Sequence, residues 1–175
     1  MLVVEDEREL ADLYADYLAD EYDVRVAYTG EKTLEMLDRT IDAVLLDRRM
    51  PVVSGNEILA ELEERDLGAR VALVTAVNPD FDIIDLRIDD YLVKPVTRAE
   101  VRETVDRLLT IDEYNERIQE LTSKKLKRNV LEVERTRAEL EGSEEFERLT
   151  AEIEQLEREV ESIAEELGVD DLEYV

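Results

Sequence analysis

The chain has 175 residues, a length that suits one small globular domain followed by an appendage. It contains no cysteine and no histidine, which excludes disulfides, thiolate nucleophiles, imidazole bases, phosphohistidine and metal sites built from these side chains. With 48 acidic and 22 basic residues its net charge is −26, which argues against binding nucleic acid through bulk electrostatics and leaves carboxylates, hydroxyls and amines to carry any chemistry.

Residues 1–109 alternate between short apolar runs and stripes of helical spacing. Two capping boxes, Ser54 with Glu57 and Thr97 with Glu100, mark helix starts, because hydroxyl and carboxylate there satisfy free backbone amides. Strands that alternate with helices predict a parallel sheet covered on both faces, which binds ligands beyond the carboxyl ends of its strands. The five predicted strands are 2–4, 24–27, 43–46, 71–74 and 91–93.

The pattern changes after residue 109, where no further strand-like run follows and two long helices are predicted. The turn between them is predicted at Gly142 and Ser143, since glycine can end one helix and serine can cap the next. Thr110 and Glu113 form another capping-box pattern, so we expect the first helix to start afresh there. The predicted domains are therefore 1–109 and 110–175.

Both predicted helices carry an apolar seam in which steps of three and four residues alternate, the spacing of a coiled coil. The seam of the first helix slips near residues 124–126 and then resumes. Such a seam could close a hairpin within one chain or a homodimer, and the turn at Gly142 favours the hairpin. The seam residues are Ile111, Tyr114, Ile118, Leu121, Val130, Val133 and Leu140 in the first helix, and Phe146, Leu149, Ile153, Leu156, Val160, Ile163 and Leu167 in the second.

Five polar side chains lie where the predicted sheet would place its ligand site. Glu5 and Asp6 follow the first strand, and Asp47 follows the third. Clustered carboxylates repel one another, and Mg²⁺ is a hard cation that relieves this repulsion. An ionised carboxylate such as Asp47 can attack a phosphoryl group to give an acyl phosphate. Lys94, after the fifth strand, could offset the charge on the phosphate oxygens, and Thr75, after the fourth, could donate a hydrogen bond to them.

Each of these residues, taken alone, has a simpler interpretation. In such an acidic chain, a pair like Glu5 and Asp6 is more often a surface feature or a helix cap, and Lys94 would be a solvated charge. Asp47 is a stronger signal, because an acid that closes the apolar run 44–46 has no packing reason to be there. The joint spacing of the set is what favours a functional site.

With these motifs in place, roughly the first 110 residues resemble the receiver domains of bacterial and archaeal two-component response regulators. The resemblance implies an α/β fold, a flavodoxin-like (βα)5 doubly wound parallel sheet of strand order 2-1-3-4-5, here followed by an α-helical hairpin or coiled coil. The motifs that carry it are Val3–Glu7 (VVEDE), Leu45–Pro51 (LLDRRMP) followed by Gly55, Val74–Ala76 (VTA) and Asp90–Pro95 (DYLVKP).

The resemblance implies a set of ligands for Mg²⁺. Glu5 and Asp6 would be the acidic pair at the metal, with Asp6 as the direct ligand. Asp47 would be a ligand and also the phospho-acceptor. The backbone carbonyl of Arg49 would complete the ligands that the protein supplies.

The resemblance also implies a conformational switch. Thr75 would be the switch hydroxyl, Tyr91 the switch aromatic that turns inward on phosphorylation, and Lys94 the partner of the phosphate. The segment between Thr75 and Lys94 is shorter than is usual in the family, so we expect residues 82–88 to form only a truncated fourth helix.

Residues 110–175 resemble the HalX domain of haloarchaeal regulators, and the acidic composition resembles that of proteins from salt-loving archaea, whose self-repulsion is screened by salt. A basic cluster in this segment could contact a partner or nucleic acid. However, the segment holds 9 basic against 21 acidic residues, so a solvated helix face is the favoured interpretation. The cluster consists of Lys124, Lys125, Lys127 and Arg128.

These observations predict a response regulator that accepts a phosphoryl group on Asp47 from a histidine kinase, with Mg²⁺, and signals through Thr75 and Tyr91 to the helical segment. Because the reaction modifies the protein itself, we do not expect an enzyme. We expect a cytoplasmic protein without membrane contact, since no window approaches the ~18 apolar residues of a membrane span. Direct DNA binding is not supported, because no helix-turn-helix with basic recognition residues is recognisable.

Three alternatives are open to different degrees. A dehalogenase-like phosphatase would need an acid two residues after its nucleophile, where this chain has Arg49. A degenerate receiver that serves as a coiled-coil scaffold or dimerisation protein is opposed by the intact set of acids with Thr75 and Lys94. A transcription regulator with a DNA-binding output lacks a recognisable binding motif, although output through a protein partner is compatible with the sequence.

Overall fold

The structure is a computed structural model that describes residues 1–168, and the chain divides into two compact units between Leu109 and Thr110. The strands of the first unit are β1 (Leu2–Val4), β2 (Arg25–Ala27), β3 (Ala43–Leu46), β4 (Arg70–Thr75) and β5 (Asp90–Val93). They form one parallel sheet in the order β2-β1-β3-β4-β5. This order confirms the predicted fold class.

Both faces of this sheet are buried, as its uninterrupted apolar strands predict. Successive side chains of a strand point to opposite faces, so Leu2 and Val4 join one core cluster and Val3 joins the other. Leu46 and Leu45 of β3 divide between the clusters in the same way. The sheet therefore has an apolar core on each face and leaves its strand ends free to carry polar groups.

The helices of the chain are α1 (Arg8–Leu18), α2 (Gly30–Met36), α3 (Gly55–Glu64), α4 (Arg98–Glu134), α5 (Arg137–Glu141) and α6 (Glu144–Leu167). The capping box before α3 is confirmed, since the Ser54 N–H donates to the Glu57 carboxylate at 2.8 Å. The one before α4 is confirmed by the Thr97 N–H, which donates to the Glu100 carboxylate at 2.7 Å. Among residues 1–168, none of the helices combines the length and the apolar character needed to cross a lipid bilayer.

The predicted fresh helix start at Thr110 is wrong, because α4 runs from Arg98 to Glu134 without a break. A capping box stabilises amides that have no partner at a helix start. Within a continuing helix the amides near Thr110 bond the preceding turn, so the Thr110 to Glu113 pattern has no free amides to cap.

The connection between β4 and β5 contains one 3-10 turn, Phe81–Ile83, and no α-helix. The expected truncated helix at residues 82–88 is therefore wrong in its type and bounds. Leu86 and Ile88 pack against the core, whereas Phe81 and Ile84 are exposed. Because these apolar residues do not share one buried face, the segment lacks the packing that would hold a helix on the sheet.

The helical unit contains a third helix, α5, that the prediction of two long helices missed. The chain leaves α4 after Glu134 and restarts at Thr136, whose N–H donates to the Glu139 carboxylate at 2.9 Å. Thr136 to Glu139 has the spacing of a capping box, so the sequence did contain a signal for this start. The predicted cap of the last helix is confirmed by the Phe146 N–H, which donates to Ser143 Oγ at 3.2 Å.

The central part of the predicted apolar seam is confirmed. Its buried residues are Leu121, Ile153, Leu156 and Val160, with Tyr114, Ile118 and Leu149 packed against them. Arg117 pairs with Glu159 and Lys124 pairs with Glu152, so α6 runs antiparallel to α4 within one chain, as a hairpin does.

The seam prediction is wrong for Val130 and Val133, which are 60% and 81% exposed. The helices leave an open cavity of about 840 Å³ at this end of the hairpin, with Val130, Leu140 and Phe146 in its lining. The apolar spacing of α4 therefore continues beyond the part of the helix that packs against α6.

The basic cluster is a salt-bridged helix face over part of its length. Lys124 Nζ lies 2.8 Å from a Glu152 carboxylate oxygen, and Lys125 Nζ lies 2.7 Å from one of Glu157. Arg128 lies 3.8 Å from Glu132. These contacts favour the interpretation of the cluster as a solvated face.

Candidate functional site

The parallel register brings the ends of four strands to one edge of the sheet. Glu5 and Asp47 follow directly on β1 and β3, and the Asp47 N–H donates to the Val4 carbonyl at 2.9 Å. Thr75 ends β4, and Lys94 directly after β5 donates its N–H to the Thr75 carbonyl at 2.9 Å. Residues that are far apart in the sequence thus meet at the carboxyl edge, where such sheets bind ligands.

Three carboxylates form a cluster at this edge. Glu5, Asp6 and Asp47 each offer an oxygen, and these oxygens lie within 4.8 Å of one another. Glu5 and Asp47 are only 1% and 7% exposed, while Asp6 is more accessible to solvent. Hard oxygen donors are the ligands that Mg²⁺ prefers, so this cluster of carboxylates fits the ion.

Lys94 is the cation of the cluster. Its Nζ lies 2.9 Å from Asp47 Oδ2 and 2.5 Å from Glu5 Oε2. Burial raises the pKa of Glu5, although the bond from Lys94 acts in the opposite direction. Burial works to lower the pKa of Lys94, but its bonds with Glu5 and Asp47 outweigh burial and leave that pKa raised. Lys94 is therefore a charged ammonium group held between two buried carboxylates.

The loop after β3 fixes the orientation of Asp47. The Arg49 N–H donates to Asp47 Oδ1 at 3.1 Å, on the carboxylate oxygen that does not face Lys94. Gly55 approaches the loop so closely that a Cβ there would lie 2.7 Å from the Asp47 carbonyl oxygen and 2.8 Å from Arg48 Cα. Only glycine fits at this approach, a role that the sequence motif contained but did not explain.

Thr75 and Tyr91 are connected through the first residues after β4. Thr75 is fully buried, and the Val77 N–H lies 3.5 Å from its hydroxyl. The Tyr91 hydroxyl donates to the Val77 carbonyl at 2.8 Å. The structure thus brings the two predicted switch residues to the same short stretch of backbone, and their role as a switch stays a prediction.

The structure brings Glu5, Asp6, Asp47 and Lys94 into one cluster, and Thr75 adjoins it through the backbone of Lys94. Sequence reasoning did not predict the direct pairing of Lys94 with Glu5. It also gave no role to Arg48, which forms an ion pair with Asp82, and no residue spacing would have indicated that contact.

The sheet has the strand order of a receiver-like α/β protein. Its carboxyl edge carries a cluster of acids, a lysine that follows the last strand and a buried hydroxyl from the fourth, and together these features define that class. Residues 1–106 match the response regulator receiver domain family, and residues 110–175 match the HalX domain. The chain therefore belongs to the response regulator receiver family, with a HalX domain after the receiver. Both resemblances inferred from the sequence are confirmed.

Similar proteins agree with this membership. A protein of Haloferax volcanii named as a transcriptional regulator is 49% identical over 121 residues, which are 69% of this chain and 21% of that protein. Response regulator SaeR of Staphylococcus aureus is 32% identical over 63% of this chain and 50% of its own length. The chain thus matches no more than half of either relative. The crystal structure of response regulator TrrA from Thermotoga maritima, in complex with Mg²⁺-BeF, is 31% identical, with a TM-score of 0.53 over 61% of this chain and 96% of TrrA.

Proposed function

We propose that Asp47 accepts a phosphoryl group from a histidine kinase and that the chain is thereby the phosphorylated component of a two-component system. The observation that carries the proposal is the environment of Asp47. It is a buried carboxylate with one oxygen 2.9 Å from Lys94 Nζ, the other bonded to a backbone amide, and two further carboxylates within 4.8 Å. Packing alone gives no reason to bury this arrangement.

In the proposed reaction, an oxygen of Asp47 forms a bond to phosphorus as the bond from phosphorus to the donor's imidazole nitrogen breaks. The imidazole leaves with that electron pair, and the product is an acyl phosphate on Asp47. The ammonium of Lys94 meets the charge on the phosphoryl oxygens, and the Thr75 hydroxyl donates a hydrogen bond to one of them. Because the chain has no histidine, the donor is another protein or a small phosphodonor.

Glu5, Asp6, Asp47 and the carbonyl of Arg49 would hold Mg²⁺ at this site. When bound, the ion supplies positive charge beside the phosphoryl oxygens. The carboxylate cluster supports the proposal, and so does TrrA, which belongs to the same family and was solved with Mg²⁺-BeF. Lys94 alone balances one of the negative charges that Glu5 and Asp47 carry when ionised, so a divalent cation has a clear electrostatic role.

The proposed output is a change at Thr75 and Tyr91 that the HalX segment reads. The protein acts on its own side chain and turns over no free substrate, so we infer that it is not an enzyme. The name of the H. volcanii relative supports a transcriptional output, and the net charge of −26 favours a protein partner over direct contact with DNA. We place this function in the cytoplasm beside the kinase, with a homodimer through either unit as an assembly to test.

The test is the intact mass of the protein after incubation with acetyl phosphate at high salt, with and without Mg²⁺. We expect a labile adduct of one phosphoryl group on the wild type that requires Mg²⁺ and is absent from Asp47→Ala. Asp16→Ala is the matched control, because Asp16 is an exposed acid on α1, and it should be modified like the wild type. A folded wild-type protein that gains no adduct would contradict the proposal and favour a scaffold built on a degenerate receiver.

A further inference from the structure

Arg48, which follows Asp47 directly, has a side chain that is only 15% exposed. Its guanidinium forms an ion pair with Asp82 in the 3-10 turn between β4 and β5. The hydrogen bond to Asp82 raises the pKa of Arg48, and Tyr91 contributes to the same shift. One side chain therefore links the loop of the proposed phospho-acceptor to the 3-10 turn between β4 and β5.

The backbone of Arg48 is fixed at its other end. The Gly55 N–H donates to the Arg48 carbonyl at 3.0 Å, and Gly55 approaches so closely that any Cβ would collide with Arg48 Cα. Asp47 is held in the same loop by the Arg49 amide. A movement of this loop would therefore move the base of the Arg48 side chain with it.

The segment that Arg48 contacts, residues 77–89, has little apolar packing in its first half. Leu86 and Ile88 pack against the core, but Phe81 and Ile84 beside the 3-10 turn are 85% and 74% exposed. Packing therefore holds the end of the segment, and the ion pair with Arg48 supplies a contact at its turn. The Tyr91 hydroxyl adds a second contact through the Val77 carbonyl at the beginning of the segment.

We propose that Arg48 is a positioning residue that ties segment 77–89 to the Asp47 loop. The ion pair holds the segment in place where a full helix would be held by packing. It also connects chemistry at Asp47 to the surface of this segment. The inference rests on the proposed function of Asp47 for its meaning in signalling, but the tether itself is a property of the unphosphorylated protein.

The guanidinium suits this role because its planar fork offers several fixed donors that match the geometry of a carboxylate. A lysine ammonium keeps the charge but lacks the fork. Arg48→Lys should therefore retain part of the tether, whereas Arg48→Ala should remove it.

The first test is peptide-resolved hydrogen exchange of the full chain at high salt without Mg²⁺. We expect exchange in residues 77–89 to rise about three- to fivefold in Arg48→Ala and in Asp82→Asn, with a smaller rise in Arg48→Lys. The Arg48→Ala and Asp82→Asn changes combined should add little to either one. Asp82 is half-exposed, so its variant should fold even if Arg48→Ala does not.

The matched control is Arg87→Ala. Arg87 lies in the same segment and pairs with Glu63 at 3.0 Å, but that contact does not reach the Asp47 loop. We expect wild-type exchange at residues 77–83 in this variant. Unchanged exchange in Asp82→Asn, or an equal rise at residues 77–83 in Arg87→Ala, would overturn the tether.

The second test repeats the exchange measurement with Mg²⁺ and beryllofluoride, while ¹⁹F NMR reports whether the adduct forms. We expect a change in residues 77–89 of the wild type that Arg48→Ala loses although it still binds beryllofluoride, and that Arg48→Lys partly restores. An adduct-bearing Arg48→Ala protein with the full wild-type change would overturn the coupling. A wild type that forms no adduct would count against the proposed function, whereas the exchange rates without Mg²⁺ would still decide on the tether.

Discussion

The two units of the chain treat charge in different ways. The receiver buries Glu5 and Asp47 and holds Lys94 between them, although taking charges out of water is costly. In residues 110–168 the buried side chains are apolar, and the ion pairs, such as Lys124 with Glu152, remain accessible to solvent. Burial of charge in this protein therefore accompanies a site, whereas charge that supports only a helix stays at the surface.

The units also differ in the size of their cores. The receiver has clusters of 13 and 10 buried residues on the two faces of its sheet, while the helical unit has a cluster of four. A unit with so few buried residues depends on each of them more strongly. We therefore expect the receiver to be most sensitive to substitution at its buried charged site. The helical unit should be most sensitive at its small apolar seam.

The largest effect is expected at the buried charges. Lys94→Met should lower the free energy of unfolding by about 3 to 5 kcal/mol, because Glu5 and Asp47 lose the cation between them. Mg²⁺ should recover part of this loss by binding the same carboxylates. Chemical denaturation with and without Mg²⁺ measures both. Lys32→Met is the control, since Lys32 is mostly exposed in the same unit, and an equal loss there would show that burial of the charge does not set the cost.

A matched pair of isoleucines compares the two cores. Ile58 of the receiver and Ile153 of α6 are both fully buried, and truncation of either to alanine should cost about 2 to 5 kcal/mol. Hydrogen exchange should show Ile153→Ala losing protection in residues 110–168 and Ile58→Ala losing it in residues 1–109. Loss of protection in both units at once, from either variant, would show that they do not respond separately.

A smaller effect is expected at an exposed charge of the receiver. The hydrogen bond from the Thr40 hydroxyl, with those from the Thr40 amide and Arg25, lowers the pKa of Asp38 to about 2. A carboxyl whose pKa is lower in the folded state stabilises the fold above its unfolded value near 3.8, and this contribution is lost as the pH falls from there toward 2.

Asp38→Asn should therefore be slightly less stable than the wild type near pH 7, and the difference should vanish near pH 2. Urea denaturation across this range provides the measurement, and Thr40→Val should show the same trend because it removes the largest cause of the shift. A difference that stays constant with pH would assign the effect to packing rather than to the charge of Asp38.

Much of the receiver could be predicted because its signals are local. Each apolar run became a strand, and Ser54 and Thr97 cap the helices that their boxes indicated. Glu5, Asp6, Asp47 and the two later site residues could be placed together, because parallel strands bring their carboxyl ends to one edge. In that case local pattern and overall topology lead to the same arrangement.

The errors arose where tertiary contacts decide the outcome. Val130 and Val133 continue the apolar period of α4, but both are exposed, and α4 ends one residue after Val133. Thr110 has the sequence of a cap but lies inside a helix. The pairing of Arg48 with Asp82 joins residues 34 positions apart and follows from no periodicity.

We propose that the phosphoryl group resides on Asp47 rather than on another of the 48 acidic residues. Reduction of the phosphorylated protein with borohydride converts an aspartyl phosphate to homoserine, which peptide sequencing by mass spectrometry can locate. We expect homoserine at position 47, formed only after incubation with acetyl phosphate and Mg²⁺. Homoserine at a different position, with Asp47 intact, would contradict it.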